Sequence, residues 1–178
     1  MKVVAVNGSL RRNSSNAALL RAAARVAPAG FEIALYDGLG RLPHFNPDLD
    51  EEGMTPHHEV SDLRRLLIDC DAVLISCPEY AHGVPGALKN MLDWLVSTGE
   101  LANKPVGLLN ASPSGGTYAQ ASLVETLRTM NWAVLEDASL VEPFVSRKIA
   151  GELTDEAALD RLREAMNALH ERLMREKQ

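Results

Sequence analysis

Residues 3–9 of the chain read Val-Val-Ala-Val-Asn-Gly-Ser, an apolar and largely β-branched run that ends at an Asn-Gly pair. A continuous apolar run of this length is typical of a strand that is covered on both faces of a sheet. The same pattern returns at 72–75 (Ala-Val-Leu-Ile) and at 106–109 (Val-Gly-Leu-Leu). Residues 31–36 (Phe-Glu-Ile-Ala-Leu-Tyr) instead alternate, which is typical of a half-exposed strand. We therefore predict that the first, third and fourth strands are central and that the second lies at an edge.

Helical patterns follow these runs. Helices are predicted over 17–26, 60–67, 88–95 and 119–130, with a last helix that begins at an N-cap formed by residues 154–155. A fifth strand is expected within 134–141, interrupted by Glu136 and Asp137. Strands that alternate with helices predict a parallel sheet with helices on both faces. The strand types fit a doubly wound, three-layer α/β fold with five strands in the order 2-1-3-4-5. Because no repeat or linker divides the sequence, residues 1–178 are predicted to form a single domain.

Composition narrows the classes of function. The 178 residues include 18 Lys and Arg against 24 Asp and Glu, a net charge of -6, which disfavours nucleic acid and anionic membranes as partners. No stretch approaches the roughly 18 apolar residues of a membrane helix, and residues 3–6 are too short for a signal-peptide core. Cys70 and Cys77 fit neither a disulfide framework nor a zinc site, so both are predicted to be buried core thiols. We expect a cytoplasmic protein that acts on small molecules.

One long segment, residues 37–58, has no hydrophobic period and is rich in Gly and Pro. Loops of this length are usually functional or disordered. Its acidic cluster at 48–52 could be a cation site or a solvated acidic turn. We favour the solvated turn. The remaining histidines have no convincing metal-ligand spacing, so no metal ligand is assigned. Those histidines are His44, His57, His58 and His170.

Three unusual loops follow strands one, three and four, so all three are expected at the carboxyl edge of the sheet, where doubly wound folds bind ligands. The first loop, residues 8–16, leads into a helix N-terminus that attracts anions. Its composition predicts a phosphate site, although it is neither a Walker A motif nor a dinucleotide-binding motif. Ordinary capping of the helix is the alternative explanation for its Ser and Asn residues. The candidate phosphate-binding residues are Ser9, Arg11, Ser14, Ser15 and Asn16.

The other two loops are candidates for binding a flat ring. Prolines and glycines at 77–86 predict a rigid turn whose backbone closely approaches a heterocycle, with Tyr80 and His82 beside its face. Taken alone, His82 is better explained as a surface histidine of the loop. Residues 110–118 offer Ser and paired Gly at another helix start, a weak signal by itself. The candidates from both loops are Pro78, Glu79, Tyr80, Ala81, His82, Gly83, Ser112, Gly115 and Gly116.

Together these motifs resemble the NADPH-dependent FMN reductases of the flavodoxin-like superfamily, which include quinone, azo-dye and chromate reductases. The resemblance rests on residues 8–16 (Gly-Ser-Leu-Arg-x-x-Ser-x-Asn), 42–49 (Leu-Pro-x-Phe-Asn-Pro-Asp-Leu), 78–80 (Pro-Glu-Tyr) and 85–90 (Pro-Gly-x-Leu-Lys-Asn). It covers most of the chain in the expected order. The family usually has Asn directly after Pro-Glu-Tyr, whereas this chain has Ala81. Loss of that side chain puts the flavin affinity and the preference for an acceptor in doubt.

The resemblance implies FMN bound without a covalent link, its phosphate in the loop 8–16. The isoalloxazine would lie against 78–80 and the neighbouring backbone, with 112–116 closing the other side. NADPH or NADH would donate a hydride, and a small acceptor such as a quinone, an azo compound, free flavin or a metal oxyanion would take the electrons. Since the cofactor carries the chemistry, no catalytic side chain is assigned. The resemblance also implies a homodimer or homotetramer, with 37–58 near the subunit contact.

Two other functions compete with this one. A flavodoxin-type electron carrier has a similar fold, but flavodoxins are strongly acidic and usually have a Thr-rich phosphate loop, unlike the Arg11-Arg12 pair here. A hydrolase with a serine nucleophile is disfavoured because no Gly-x-Ser-x-Gly motif occurs, residues 113–115 (Pro-Ser-Gly) lacking the first glycine.

Overall fold

Strands and helices alternate along the chain in a computed structural model that describes residues 1–51, 53–142 and 152–177. The strands are β1 (Lys2–Asn7), β2 (Glu32–Tyr36), β3 (Ala72–Ser76), β4 (Pro105–Asn110), β5 (Ala133–Val134) and β6 (Leu140–Val141). The α-helices are α1 (Ser15–Val26), α2 (His58–Ile68), α3 (Gly86–Leu95), α4 (Thr117–Thr129) and α5 (Glu156–Glu176).

The sheet is parallel and has the order β2-β1-β3-β4-β5, which confirms the predicted doubly wound topology. Every residue of β3 and β4 is buried, as the continuous apolar runs predict. Strand β2 lies at the edge, where Phe31 and Ile33 pack against the core but Leu35 is 41% exposed. The half-exposed strand of the sequence prediction is therefore confirmed, with only part of its apolar side chains used for packing.

The fifth position of the sheet is divided between two short strands, β5 and β6, which both pair with β4. The predicted interruption at 136–137 is thus confirmed. Between the two strands Ala138 comes so close to Gly107 that a Cβ at Gly107 would lie 2.7 Å from the Ala138 carbonyl oxygen. The Ser139 hydroxyl accepts the N–H of Leu108 at 3.0 Å and donates to the carbonyl of Leu135 at 2.7 Å. The Ser139 side chain thereby supplies the hydrogen-bond acceptor for Leu108 that the interruption between β5 and β6 removes from the sheet.

Two apolar cores cover the two faces of the sheet. Helices α1 and α5 pack on one face, against alternate strand residues such as Val3 and Ala5. Helices α2, α3 and α4 pack on the other face, against Val4 and Val6. The predicted apolar side of the last helix is buried, and Asp155 caps that helix by accepting the N–H of Ala158 at 2.9 Å. These buried residues of α5 include Leu159, Leu162, Met166, Leu169 and Leu173.

Two details of the predicted core are decided by the structure. Cys70 and Cys77 are both free and buried, as predicted. Leu66, which the helical spacing placed with Val60 and Leu63, is instead 38% exposed. It lies on the solvent side of α2, since that helix buries a narrower face than the spacing indicates.

The segment 37–58, apart from residue 52, is held against α3 by two side chains of that helix, Asn90 and Trp94. The Asn90 carboxamide accepts the N–H of Phe45 at 2.8 Å and donates to the Pro43 carbonyl at 2.9 Å. The Trp94 indole also donates to the Pro43 carbonyl, at 2.8 Å, and its ring meets the Phe45 ring edge-on. The segment therefore has a defined path against the helix.

The acidic cluster at 48–52 is only partly the solvated turn that we favoured. Asp50 is largely buried and forms an ion pair with Arg64, at 2.8 Å, and it also accepts the Ser97 hydroxyl. Glu52 lies outside the described residues. In the described part of the chain, no three His, Cys, Asp or Glu side chains are arranged to hold a metal ion. Within the same residues, no helix is long and apolar enough to span a membrane.

Candidate active site

The loops that follow β1, β3 and β4 meet at the carboxyl end of the sheet. The N–H of Gly8 donates to the Ser76 carbonyl at 2.8 Å, and the N–H of Cys77 donates to the Leu109 carbonyl at 3.1 Å. A Cβ at Gly8 would lie only 2.9 Å from the Leu88 side chain and 3.1 Å from the Ser76 oxygen. The start of the first loop therefore requires glycine, because strand β3 and helix α3 pass directly beside it.

The loop after β1 is folded around Asn7. The Asn7 carboxamide oxygen accepts the N–H of Ser9 at 3.2 Å and the hydroxyl of Ser14 at 3.3 Å. The carboxamide nitrogen donates to the Ser9 carbonyl at 2.6 Å. Ser14 is also the N-cap of α1, where it accepts the N–H of Ala17 at 3.2 Å. Arg11 lies exposed in the same loop. Capping, the alternative explanation for Ser14, is thus confirmed, and Arg11 lies three residues before this cap in the sequence.

Asn16 lies in the interior beneath the loops. It is only 5% exposed, and its carboxamide oxygen accepts the Ser76 hydroxyl at 2.8 Å and the N–H of Ala111 at 3.1 Å. One side chain thereby connects the first turn of α1 with the ends of β3 and β4. This position gives Asn16 a structural role that composition alone does not reveal, and its predicted contact with phosphate stays a prediction.

The loop after β3 contains a tight turn at residues 80–83. Tyr80 and Gly83 exchange two backbone hydrogen bonds, of 3.2 and 3.0 Å, around Ala81 and His82. Ala81 has φ 50° and His82 has φ 59°. Positive φ at both central residues is the pattern of a type I′ turn, which Asn and Gly favour. The two central residues, Ala81 and His82, are neither Asn nor Gly, and both are exposed.

Glu79 connects the loop after β3 to the loop after β4. Its carboxylate accepts the N–H of Ala119, in the first turn of α4, at 2.9 Å. Its own N–H donates to the hydroxyl of Ser112 at 3.3 Å. Helix α4 has Gly116 as its N-cap and so no capping side chain of its own. Glu79 supplies that cap from a different loop, which makes it a structural residue of the site.

Three aromatic rings lie along the rim formed by these loops. The His82 and Tyr118 rings are stacked, with centroids 4.3 Å apart and planes 20° apart. The phenol oxygen of Tyr80 lies 3.0 Å from the hydroxyl oxygen of Ser9. His82 is therefore a surface histidine, as favoured from the sequence, and it has an aromatic partner; its predicted position beside a bound ring stays a prediction.

Charge differs between the centre and the edges of this rim. Helices α1, α3 and α4, which follow the three central strands, have no acidic residue in the first turn. Helices α2 and α5 carry Glu59 and Glu156 there. Since helix N-termini favour anions, those of α1 and α3 are left available to an anionic ligand, whereas the N-terminus of α4 already binds the carboxylate of Glu79.

Cys77 lies at the base of the site but has no reactive character. It is fully buried, and this burial, together with the charge of Glu79, raises the pKa of Cys77 to about 12. Because the thiolate is the nucleophilic form, Cys77 stays a neutral, inert thiol near pH 7. The site therefore offers binding groups rather than a thiol nucleophile.

The sequence profile of the NADPH-dependent FMN reductases matches residues 1–146. The chain belongs to this family. One relative is the quinone reductase of Escherichia coli strain K12. It is 31% identical to this chain over an alignment of 184 residues, which covers 99% of this chain and 97% of the relative. An NAD(P)H-dependent FMN reductase of Pseudomonas aeruginosa is 31% identical over 175 residues, which cover 95% of this chain and 93% of the relative.

A solved structure gives the same result for the fold of this FMN reductase. FerB, a flavoenzyme NAD(P)H:(acceptor) oxidoreductase from Paracoccus denitrificans, has a TM-score of 0.85 and 27% identity, covering 98% of this chain and 97% of that one. The predicted family, enzyme class, flavodoxin-like fold and use of FMN with NAD(P)H are thus confirmed. Nothing in these matches favours the electron-carrier alternative.

Sequence reasoning missed several residues that shape the FMN reductase site. Asn7 and Asn110 end strands β1 and β4, and each accepts a backbone N–H two residues ahead. Asn110 is fully buried, and its carboxamide nitrogen has no hydrogen-bond partner among the described residues. An Asn at the end of an apolar strand is the signal that these two share. Tyr118 was also missed, although it directly follows the Gly-Gly-Thr at a helix start.

Proposed function

We propose that this FMN reductase takes a hydride from NADPH or NADH and delivers electrons to a small acceptor, with a quinone as the first candidate. The observation that supports this most directly is the contact between Ser9 and Tyr80. It joins a loop with the donors suited to a phosphate to a turn suited to a flat ring. FMN has these two halves, and the quinone reductase name of the Escherichia coli relative supports the acceptor.

The loop 8–16 would hold the FMN phosphate. Arg11 is exposed in the loop that leads into α1, and that helix has no acid in its first turn to repel an anion. Guanidinium and hydroxyl groups pair well with phosphate oxygens. We assign the phosphate contacts to Ser9, Arg11, Ser14, Ser15 and Asn16.

The turn after β3 and the loop after β4 would hold the ring. When bound, FMN would supply the redox chemistry itself. The chain orients the ring and supplies N–H groups that stabilise negative charge at its edge, so no side chain is assigned as an acid or a base. We assign the ring contacts to Pro78, Glu79, Tyr80, Ala81, His82, Gly83, Ser112, Gly115 and Gly116.

The proposed function also concerns the domain organisation, oligomeric state and location of the protein. We propose that residues 1–178 act as a single FMN-binding domain without covalent attachment of FMN, in a cytoplasmic homodimer or homotetramer. The coverage of 98% of this chain by one flavoenzyme structure supports the single domain. The net charge of -6 supports the absence of nucleic acid and membrane partners.

The test is a visible spectrum of the purified protein, followed by NADPH under anaerobic conditions. Flavin absorption that bleaches rapidly is the expected result. Flavin that binds but resists both NADPH and NADH would support the electron carrier instead. A protein that stays colourless after FMN is added would overturn both functions.

A matched pair of variants tests the phosphate assignment. Arg11→Ala is expected to weaken FMN binding about tenfold, the effect of losing one charge-assisted contact, while riboflavin binding stays unchanged. Arg65→Ala, an exposed arginine of α2, is the control and should change neither. Equal losses for FMN and riboflavin in Arg11→Ala would contradict a phosphate role for the loop.

A further inference from the structure

The turn at residues 80–83 has a conformation that its own sequence does not favour. Ala81 and His82 both have positive φ, of 50° and 59°, where the Cβ of an L-residue crowds the backbone. Glycine avoids this crowding, and Asn tolerates it through local hydrogen bonds. Since Ala81 has only a methyl group, something outside the turn must hold it in place.

The contacts that hold it come from both sides. On one side, Tyr80 reaches Ser9 in the loop after β1. On the other side, His82 stacks on Tyr118, the second residue of α4, with ring centroids 4.3 Å apart. Helix α4 is itself fixed to the same loop by the bond from Ala119 to Glu79. The stack therefore joins the strained turn to an element that is already anchored.

The stack is the contact that acts on the strained residues themselves. The Ser9 contact restrains Tyr80, at the corner of the turn, whereas Tyr118 contacts His82, one of the two residues with positive φ. Tyr118 is 59% exposed and makes no other ring contact in the described residues. Stacked aromatic pairs are stabilising beyond the area that they bury.

We propose that Tyr118 is a positioning residue, which through its stack with His82 holds the turn 80–83 in the conformation that binds the flavin ring. This rests on the proposed function, in which that turn contacts the ring. Without the Tyr118 ring, the turn opens more often and fewer molecules present the binding conformation. Flavin affinity then falls in proportion to the population that is lost.

The experiment makes two kinds of measurement on the full-length protein. The first is hydrogen exchange at the Gly83 amide without flavin, and the second is the affinity for FMN and for riboflavin. The Gly83 N–H donates to the Tyr80 carbonyl across the turn, so its exchange reports opening. In Tyr118→Ala both the exchange rate and the two dissociation constants should rise about two- to tenfold, the range for loss of an aromatic pair. Tyr118→Phe keeps the ring and should restore all three values.

Relief of the backbone strain supplies an independent arm. Ala81→Gly in the Tyr118→Ala background should recover exchange and affinity, because glycine adopts positive φ without crowding. A merely structural role for Tyr118 would not be corrected by a change at Ala81. His82→Ala removes the stack from its other side and should raise the exchange at Gly83 to the same extent as Tyr118→Ala. His58→Ala, an exposed histidine on α2, is the control and should leave exchange at Gly83 unchanged.

Unchanged exchange at Gly83 in both Tyr118→Ala and His82→Ala would overturn the proposal. So would increased exchange with undiminished flavin affinity, or a failure of Ala81→Gly to restore either quantity. If the unaltered protein binds neither FMN nor riboflavin, the proposed function fails instead. The exchange measurement needs no flavin, so it separates that failure from a failure of the stack to hold the turn.

Discussion

The phenol oxygen of Tyr80 lies 3.0 Å from the hydroxyl oxygen of Ser9, although 71 residues separate them in the sequence. The hydroxyl of Ser9 also accepts the N–H of Arg11 at 3.2 Å. A hydroxyl that joins these two groups couples the loop after β1 to the turn after β3. Changes on one side of the site are therefore expected to reach the other.

Removal of the Tyr80 hydroxyl tests this coupling. Tyr80→Phe is expected to raise the dissociation constant for FMN about two- to tenfold, since one neutral hydrogen bond contributes about 0.5–1.5 kcal/mol. A fluorescence titration of FMN measures it. Tyr36→Phe is the matched control, because the buried Tyr36 hydroxyl has no hydrogen-bond partner among the described residues and belongs to the edge strand. An equal effect of both variants would contradict a specific role for the contact.

Loss of the Glu79 carboxylate should destabilise the fold. Glu79→Ala leaves the N–H of Ala119 without its acceptor and removes a favourable charge at the N-terminus of α4, so we expect a loss of about 2 kcal/mol in the free energy of unfolding. Glu79→Gln keeps an acceptor oxygen and should lose about half as much. Urea unfolding gives both values. An unchanged midpoint in Glu79→Ala would exclude the proposed capping role.

The ion pair between Asp50 and Arg64 should matter more than its neighbours. Their side chains are only 9% and 16% exposed, so Arg64→Met leaves a largely buried carboxylate without its cation, at a cost of about 3 kcal/mol. Arg65→Ala breaks an exposed pair with Asp62 and should change stability by less than about 1 kcal/mol. Urea unfolding of the two variants compares them. Similar losses in both would refute the distinction.

Alkaline pH should destabilise the protein through Cys77. Its pKa is raised to about 12 by burial and by Glu79, so the folded state keeps the thiol proton after the unfolded chain has released it. The contribution of Cys77 to the free energy of unfolding should therefore be constant below about pH 8 and should fall as the pH rises from about 9 towards 12. Burial likewise raises the pKa of Tyr36 to about 12, which adds to the fall.

The variant Cys77→Ala checks that origin. It should be less stable than the unaltered protein at pH 7, because a buried side chain is shortened, yet its stability should fall less steeply above pH 9. Urea unfolding from pH 7 to pH 10.5 measures the slope. Rapid alkylation of Cys77 in the native protein at pH 8 would show that the thiol is not protected as described.

The order of the strands could be predicted because the burial of a strand determines the pattern of apolar residues within that strand. A strand covered on both faces needs apolar residues throughout, as at 72–75, and an edge strand does not, as at 31–36. The caps of α1 and α5 were equally visible, since a capping side chain lies beside its own helix. Local signals of this kind account for the success of the fold prediction.

Contacts between loops could not be predicted in this way. Glu79 caps a helix that begins 38 positions further along the chain, a partner that no periodicity records. The positive φ of Ala81 was hidden because its residue type is one that normally avoids that region. Asn16 was expected to face phosphate on its composition, whereas the interior bonds to Ser76 and Ala111 depend on three elements meeting.

The different charges at the helix N-termini give this acidic molecule two kinds of surface. Glu59 and Glu156 lie at the outer helices, where they contribute to a net charge of -6 that makes separate molecules repel one another in solution. The N-termini of α1 and α3, which have no such carboxylate, attract an anion only at short range. Because salt screens exposed charges over about 10 Å, rising ionic strength should weaken the long-range repulsion of anionic ligands more than the short-range attraction. Moderate salt would then quicken the approach of a negatively charged nucleotide rather than slow it.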